Sequence, residues 1–289
     1  MAREHCPADR NRTQNHHPCV THHLKLRYFQ QGAFPIGNVE NEHYFGLHPF
    51  YGGIMETTLR LHYAPDNASL IIRLALEELG LRYETCLIDR ANNAQSQAPY
   101  LAINPNGTIP VLETPDGVLF ETAAILLWLS EVTGKLAPAV GTPERAQFLK
   151  WMVWCSNTFQ IDLRHFFYPE KFIGADLDQQ IQLRKMFRAR IERDLEILEA
   201  GLAGTSALAG GDAPTLLDFY VPCLLRWTKL YAELPNQPWF ELSRYPTLLT
   251  IAQRAEARAS TQSAQIAEGL GPRPFTAPIL ATPPEGSAT

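Results

Sequence analysis

Between residues 59 and 63 apolar and polar positions alternate as Leu59, Arg60, Leu61, His62, Tyr63, the period of two that sends successive side chains to opposite faces of a strand. Pro65-Asp66-Asn67 breaks the pattern. "SLIIRLALEELG" (69–80) resumes it at helical spacing and closes on Gly80, where a helix end favours glycine. "YETCLID" (83–89) reads as a second strand, so strand, helix and strand predict a parallel pair joined by a crossover helix. A polar loop with room for a helical turn (91–103) follows. Next come "PVLETPDGVLF" (110–120), a hairpin around Pro115-Asp116-Gly117, and a helix from about Glu121 to Val132. The predicted order is βαβ, then ββα.

Residues 142–270 show no strand pattern. Thr142-Pro143 is a helix start, with Thr as cap and Pro where its missing N–H costs nothing. "DLDQQIQLRKMFRARIERDLEILEAGLAG" (176–204) has helical spacing and ends in glycines. "TLLDFYVPCLLRWTKLY" (215–231) opens with Thr215 and Asp218 at capping-box spacing, Asp standing in for Glu or Gln. "YPTLLTIAQRAEAR" (245–258) is a further helix. The Pro-rich end "GPRPFTAPILATPPEGSAT" is expected to be disordered. The domains expected are thus an α/β unit at 55–134, an all-helical unit at 140–270 and a tail at 271–289.

Residues 1–54 follow neither period and hold seven of the nine histidines, so they read as a poorly structured leader, with Met55 as the expected natural start. Cys6, His16, His17, Cys19, His22 and His23 are soft-metal ligand types, but their spacing fits no zinc-finger pattern. No metal is expected.

Composition narrows the function further. The chain has 289 residues, 45% of them hydrophobic and 19% charged, and a net charge of -5, which argues against a nucleic-acid partner. The longest apolar run, "AAILLWL" (123–129), is too short to span a bilayer. Five scattered cysteines without a CxxC pair suggest neither a disulfide framework nor a dithiol motif, and a reducing cytoplasm fits them.

Some residues carry two readings. Pro110 at the head of a strand is either an edge proline or part of a specialised turn. Glu121-Thr122 stands at a helix start, where free N–H groups and the helix dipole favour an anion, or where either side chain serves as a cap. Asn67 and Ser69 are natural caps for the helix beginning near 69. His62 and His165 are lone histidines in apolar surroundings, and Cys155 and Cys223 lie on apolar helical faces as small hydrophobes. Trp151, Trp154, Phe159, Phe166, Phe167 and Tyr168 are expected to be mainly core.

The segments "NPNGTIPVLE" (104–113), "FETAAIL" (120–126) and "APTLLDFYVP" (213–222), set in this order of elements, resemble the cytosolic glutathione transferase family across 58–270. The resemblance implies a thioredoxin-like domain that binds glutathione, followed by an all-α domain that shapes the second substrate's pocket. It implies a homodimeric, cytoplasmic detoxification enzyme conjugating glutathione to an electrophile. By the same resemblance Pro110 is cis and the Ile109 backbone pairs with the cysteinyl main chain of glutathione, as an added strand would. Glu121 and Thr122 then hold the γ-glutamyl end, Thr122 replacing the more common Ser.

Such an enzyme must lower a thiol pKa of about 8.5 by roughly two units, worth about 2.7 kcal/mol. Aligned on Pro65, Asn67 falls at the family's catalytic serine, and Ala68 at the catalytic cysteine of bacterial beta-type members. The candidate donors are, in order, Asn67, Ser69 and Tyr63. The missing Ser, Tyr or Cys leaves two alternatives: a non-catalytic binding or regulatory protein on the same scaffold, or a glutathione-dependent disulfide or peroxide reductase using two glutathiones.

Overall fold

The structure is a computed structural model and describes residues 58–231 and 239–288. The leader, its Cys/His group and Met55 lie outside the described residues.

Strand β1 (Leu59–Tyr63) buries Leu59, Leu61 and Tyr63 on one face, as its alternation requires. Helix α1 (Ser69–Leu79) sets Leu70, Ile71, Leu74 and Ala75 into the core, and Gly80 ends it at φ 66 with its N–H turned back on the last carbonyls. Strand β2 (Tyr83–Leu87) pairs with β1 in parallel, Leu59 opposite Tyr83 and Tyr63 opposite Leu87. It stops two residues before the sequence pattern did, because Asp89 instead caps a short 3₁₀ turn, accepting from the Asn92 N–H at 3.3 Å. After α2 (Ala98–Leu101) come β3 (Val111–Thr114) and β4 (Gly117–Phe120), joined through Pro115-Asp116. The sheet order is β2-β1-β3-β4, with β3 antiparallel to both neighbours. Helix α3 (Thr122–Thr133) packs beside α1 on one face. Tyr100 of α2 covers Ile88 and Val111 in a second, smaller cluster. This is the thioredoxin-like half of the expected fold.

The helical half begins where predicted. Thr142 caps α4 (Pro143–Trp154), its hydroxyl accepting from the Arg145 N–H at 3.3 Å. A π-helical turn at Cys155–Phe159 joins α4 to α5 (Gln160–Phe167), a local widening that periodicity does not signal. The short α6 (Glu170–Ile173) leads into the long α7 (Leu177–Leu202), capped by Asp176. Helix α8 (Leu217–Tyr231) is buried through most of its length. Its cap is reciprocal: the Thr215 N–H donates to Asp218 Oδ2 at 2.8 Å, and the Leu217 N–H donates to Thr215 Oγ1 at 3.2 Å. Helices α9 (Pro246–Glu256) and α10 (Ala259–Glu268) complete the domain; the sequence pattern had not separated α10. One apolar cluster runs from Leu61, Leu74 and Leu112 through Ile125 to Phe148, Leu195, Phe219 and Leu224. The two halves therefore share a core.

The disordered tail expected from residue 271 is corrected for residues 271–288. Phe275 is only 1% exposed, and the Arg226 guanidinium donates to the carbonyls of Leu270, Pro274 and Ile279 at 3.2, 3.0 and 3.1 Å. Farther on, the Tyr63 hydroxyl donates to Glu285, and Arg90 donates to the Ala288 carbonyl at 2.6 Å. A Pro-rich segment shows no period, yet its carbonyls satisfy a buried cation.

A second buried feature titrates. Asp162 and Asp194 are 2% and 5% exposed, and Arg190 is bonded to Asp162 at 2.7 and 3.0 Å. Asp194 Oδ2 has no hydrogen-bond partner among the described residues. Burial first, then the Asp162 carboxylate, pushes the Asp194 carboxyl up to about 7. The folded state thus holds this proton more tightly than the unfolded chain, so stability falls as pH rises from about 4, the unfolded carboxyl value, toward 7. Asp194→Asn, which stays neutral, should melt close to wild type at about pH 4 and increasingly above it toward about pH 8. Thermal melts in which the gap does not widen with pH would reject this account of Asp194.

Candidate active site

Two pairs of residues bring the predicted site together. His62 is paired with Val111, and Val111 with Phe120. The end of β1, the entry to β3 and the exit from β4 therefore lie side by side. From this one end of the sheet the chain leaves as Pro65-Asp66-Asn67, returns as Ile109-Pro110 and leaves again as Glu121-Thr122.

The Ile109–Pro110 bond is cis. Just before it, Asn104 is fully buried, and its Nδ2 and the Tyr100 hydroxyl both donate to the Thr108 carbonyl at 2.7 Å. These bonds fix the residue preceding Ile109 and leave the Ile109 N–H and C=O without a hydrogen bond among the described residues. An extended peptide could pair with that edge as an added strand does.

Glu121 has φ 74 and ψ 114 and occupies the N-cap of α3, with no side-chain cap bond among the described residues. The reading of Glu121 or Thr122 as an ordinary cap finds no bond to carry it. Among the described residues the first turn of α3 keeps its N–H groups open, and the Thr122 side chain beside them, 7% exposed, has no partner. Together they make an anion-binding end.

The three donor candidates separate by what their polar atoms already do. Ser69 is fully buried, and its hydroxyl donates to the Ala64 carbonyl at 3.0 Å and accepts from the Ala64 N–H at 3.3 Å. Tyr63 is 2% exposed, with the Arg73 guanidinium 4.6 Å from its ring centre and its hydroxyl given to Glu285. Burial and the Glu285 carboxylate push that phenol well above its usual range. Asn67 is half-buried; its Oδ1 accepts from the Ala68 N–H at 2.7 Å, and its amide N–H₂ has no partner among the described residues. Neither Asn67 nor Ser69 caps α1, whose N-cap position is held by Ala68 without a side-chain bond. Of the three, Asn67 alone has an open donor.

The glutathione S-transferase N-terminal domain profile matches residues 68–132, the stretch from α1 through cis-Pro110 to α3. BphK, a bacterial glutathione S-transferase solved as a ternary complex, is 30% identical; the match covers 73% of this chain and 100% of that one, at a TM-score of 0.57. The chain belongs to the glutathione S-transferase family. A family homologue from Sulfitobacter, crystallised with bound glutathione, is 26% identical, with 72% and 97% of the two chains covered and a TM-score of 0.60. The disulfide-bond oxidoreductase YfcG of Escherichia coli is 28% identical over 224 residues, 73% of this chain and 96% of its own.

In this glutathione S-transferase family chain the remaining candidates take structural parts. His62 Nε2 lies 2.6 Å from Glu113 Oε1, and His165 is stacked between Phe172 and Phe187. Cys155 and Cys223 are fully buried, and burial raises both thiols. Trp151, Phe159 and Phe166 are core, while Trp154, Phe167 and Tyr168 are half-buried. Phe167 meets Tyr231, which is bonded to Asp66 of the β1–α1 turn, and the Tyr168 hydroxyl accepts at 3.1 Å from Arg90, which also holds the tail at Ala288.

Sequence reasoning gave no site role to Asn104 or Asp66. Asn104 had a local signal, since its Oδ1 accepts from the Asn106 N–H at 3.1 Å in a turn that "NPNG" spells out. Asp66 had none, because its partners lie 160 and more residues away.

Proposed function

We propose that this chain is a glutathione transferase that conjugates the glutathione thiolate to an electrophilic small molecule. The carrying observation is the pairing, at one end of the sheet, of an unpartnered Ile109 backbone edge with the uncapped start of α3. Ile109 takes the cysteinyl main chain, cis-Pro110 shapes that edge, and the Glu121-Thr122 start of α3 takes the γ-glutamyl carboxylate. This places the thiol toward the β1–α1 turn. The Asn67 amide donates to the sulfur and favours its ionised form, and catalysis is mainly orientation and thiolate stabilisation. The helical domain, with Phe167 and Tyr168 at its near end, accepts the electrophile. The chain works as a cytoplasmic homodimer, and no step needs a metal.

The test is calorimetry on Thr122→Ala. Loss of a hydroxyl bonded to a carboxylate should weaken glutathione binding by about 1–3 kcal/mol, or roughly 5- to 150-fold. Equal affinity would remove Thr122 from the site, and no glutathione binding by wild type would end the reading.

Similarity to a disulfide-bond oxidoreductase favours a second reading on the same site. With no cysteine at 63–70, two glutathiones would reduce one disulfide to two thiols and leave as one oxidised glutathione. Assays that score thioether product against oxidised glutathione separate the two.

A further inference from the structure

Asp66 lies between the end of β1 and the proposed donor Asn67, and it sits in the left-handed region at φ 50. For a residue with a side chain such a conformation costs about 1–3 kcal/mol and persists only when its surroundings determine it. Here they do. The carboxylate is 4% exposed and receives four hydrogen bonds, all from α8. Arg226 gives Nε to Oδ1 at 2.8 Å and Nη2 to Oδ2 at 2.9 Å; Trp227 gives Nε1 to Oδ1 at 2.9 Å; the Tyr231 hydroxyl gives to Oδ2 at 2.7 Å. The Asp66 N–H donates to Glu268 Oε2 at 2.8 Å, and Glu268 Oε1 accepts from Arg73 Nε at 2.7 Å. Side chain and backbone of one turn residue are thus tied to three helices.

Stability alone is a weak reason for this arrangement, since well-packed apolar residues often replace a buried ion pair without loss. What the arrangement does supply is a fixed direction for the next residue. Any rotation about the Asp66–Asn67 link would carry the Asn67 amide away from a sulfur held by Ile109 and Thr122.

We propose that Arg226, Trp227 and Tyr231 are positioning residues, through which α8 of the helical domain sets the Asn67 donor by way of Asp66. This rests on the reading of Asn67 given above. It also makes the thiol's acidity a property of both domains, because the donor lies in one and its anchor in the other.

The experiment uses the full chain, wild type and Tyr231→Phe, a change that removes one donor to Asp66 and keeps the ring. Three quantities are read: amide hydrogen exchange of the peptide spanning 64–71, the ultraviolet titration of bound glutathione, and the affinity for S-methylglutathione, which has no thiol. Exchange in 64–71 should rise about tenfold, the lower end of what a hydrogen bond to a charged group is worth. The bound thiol pKa should move upward, while exchange in β3 and β4 and S-methylglutathione affinity stay as in wild type. A lower melting temperature with unchanged exchange at 64–71 would show a merely structural role and overturn the proposal. So would faster exchange with an unmoved thiol pKa. A wild-type thiol that is not shifted at all would overturn the Asn67 reading and this inference together, whereas a wild-type shift that survives in Tyr231→Phe overturns this inference alone. Trp227→Phe, which removes the other neutral donor, should repeat the pattern.

Discussion

Arg226→Met should lower the melting temperature by roughly 6–20 °C. The figure follows from about 3–5 kcal/mol for stripping one partner from a buried ion pair and roughly 2–4 °C per kcal/mol for a body of this size. The guanidinium is fully buried and has five bonds to lose, two to Asp66 and three to carbonyls of the tail and its approach. Methionine fills much of the volume but leaves Asp66 as a buried anion with two donors. Adding Asp66→Asn, which keeps a residue tolerant of the left-handed region, should recover more than half of the loss, because the largest cost is the uncompensated charge. A single variant that melts within about 3 °C of wild type would mean that water or another cation reaches Asp66.

The other large effect is on acidity. Glutathione bound to wild type should show a thiol pKa about two units below the free value of about 8.5, so that most of it is ionised at pH 7. In Asn67→Ala that shift should shrink by one unit or more, lowering the thiolate fraction severalfold near neutral pH. Thiolate absorbance followed against pH gives the answer directly. Ser69 offers no substitute, since its hydroxyl is enclosed by Ala64. A wild-type thiol with an ordinary pKa would favour a protein that holds glutathione without activating it.

What could be read in the sequence was what depends on near neighbours. The limits of β1 and α1, the Thr142-Pro143 start and the Thr215/Asp218 cap are all set by residues within a few positions of one another. The order of the site segments was legible too, because strand alternation and the short hairpin fix which chain ends meet. The rest was decided by contacts that leave no local pattern. Asp66 looked like a turn former and proved to be the most heavily bonded side chain of its loop, by partners in α8. The tail looked disordered because prolines interrupt any period, while its fixed course comes from carbonyls meeting Arg226. Among the donor candidates, only the three-dimensional positions of Ala64 and Glu285 reveal that Ser69 and Tyr63 are already engaged.

The span between Asp66 and its partners also sets a timetable for the chain's own manufacture. Arg226 is made 160 residues after Asp66, and Glu268 comes 202 residues after it. At about 5–20 residues per second, a ribosome needs roughly 8–32 s to supply the first of these and longer for the second. For that interval the emerging α/β half carries a hydrated carboxylate in a turn whose shape nothing yet enforces. Its strands and helices can form early, but the turn beside the proposed glutathione site takes its final form only after α8 and α10 have been made.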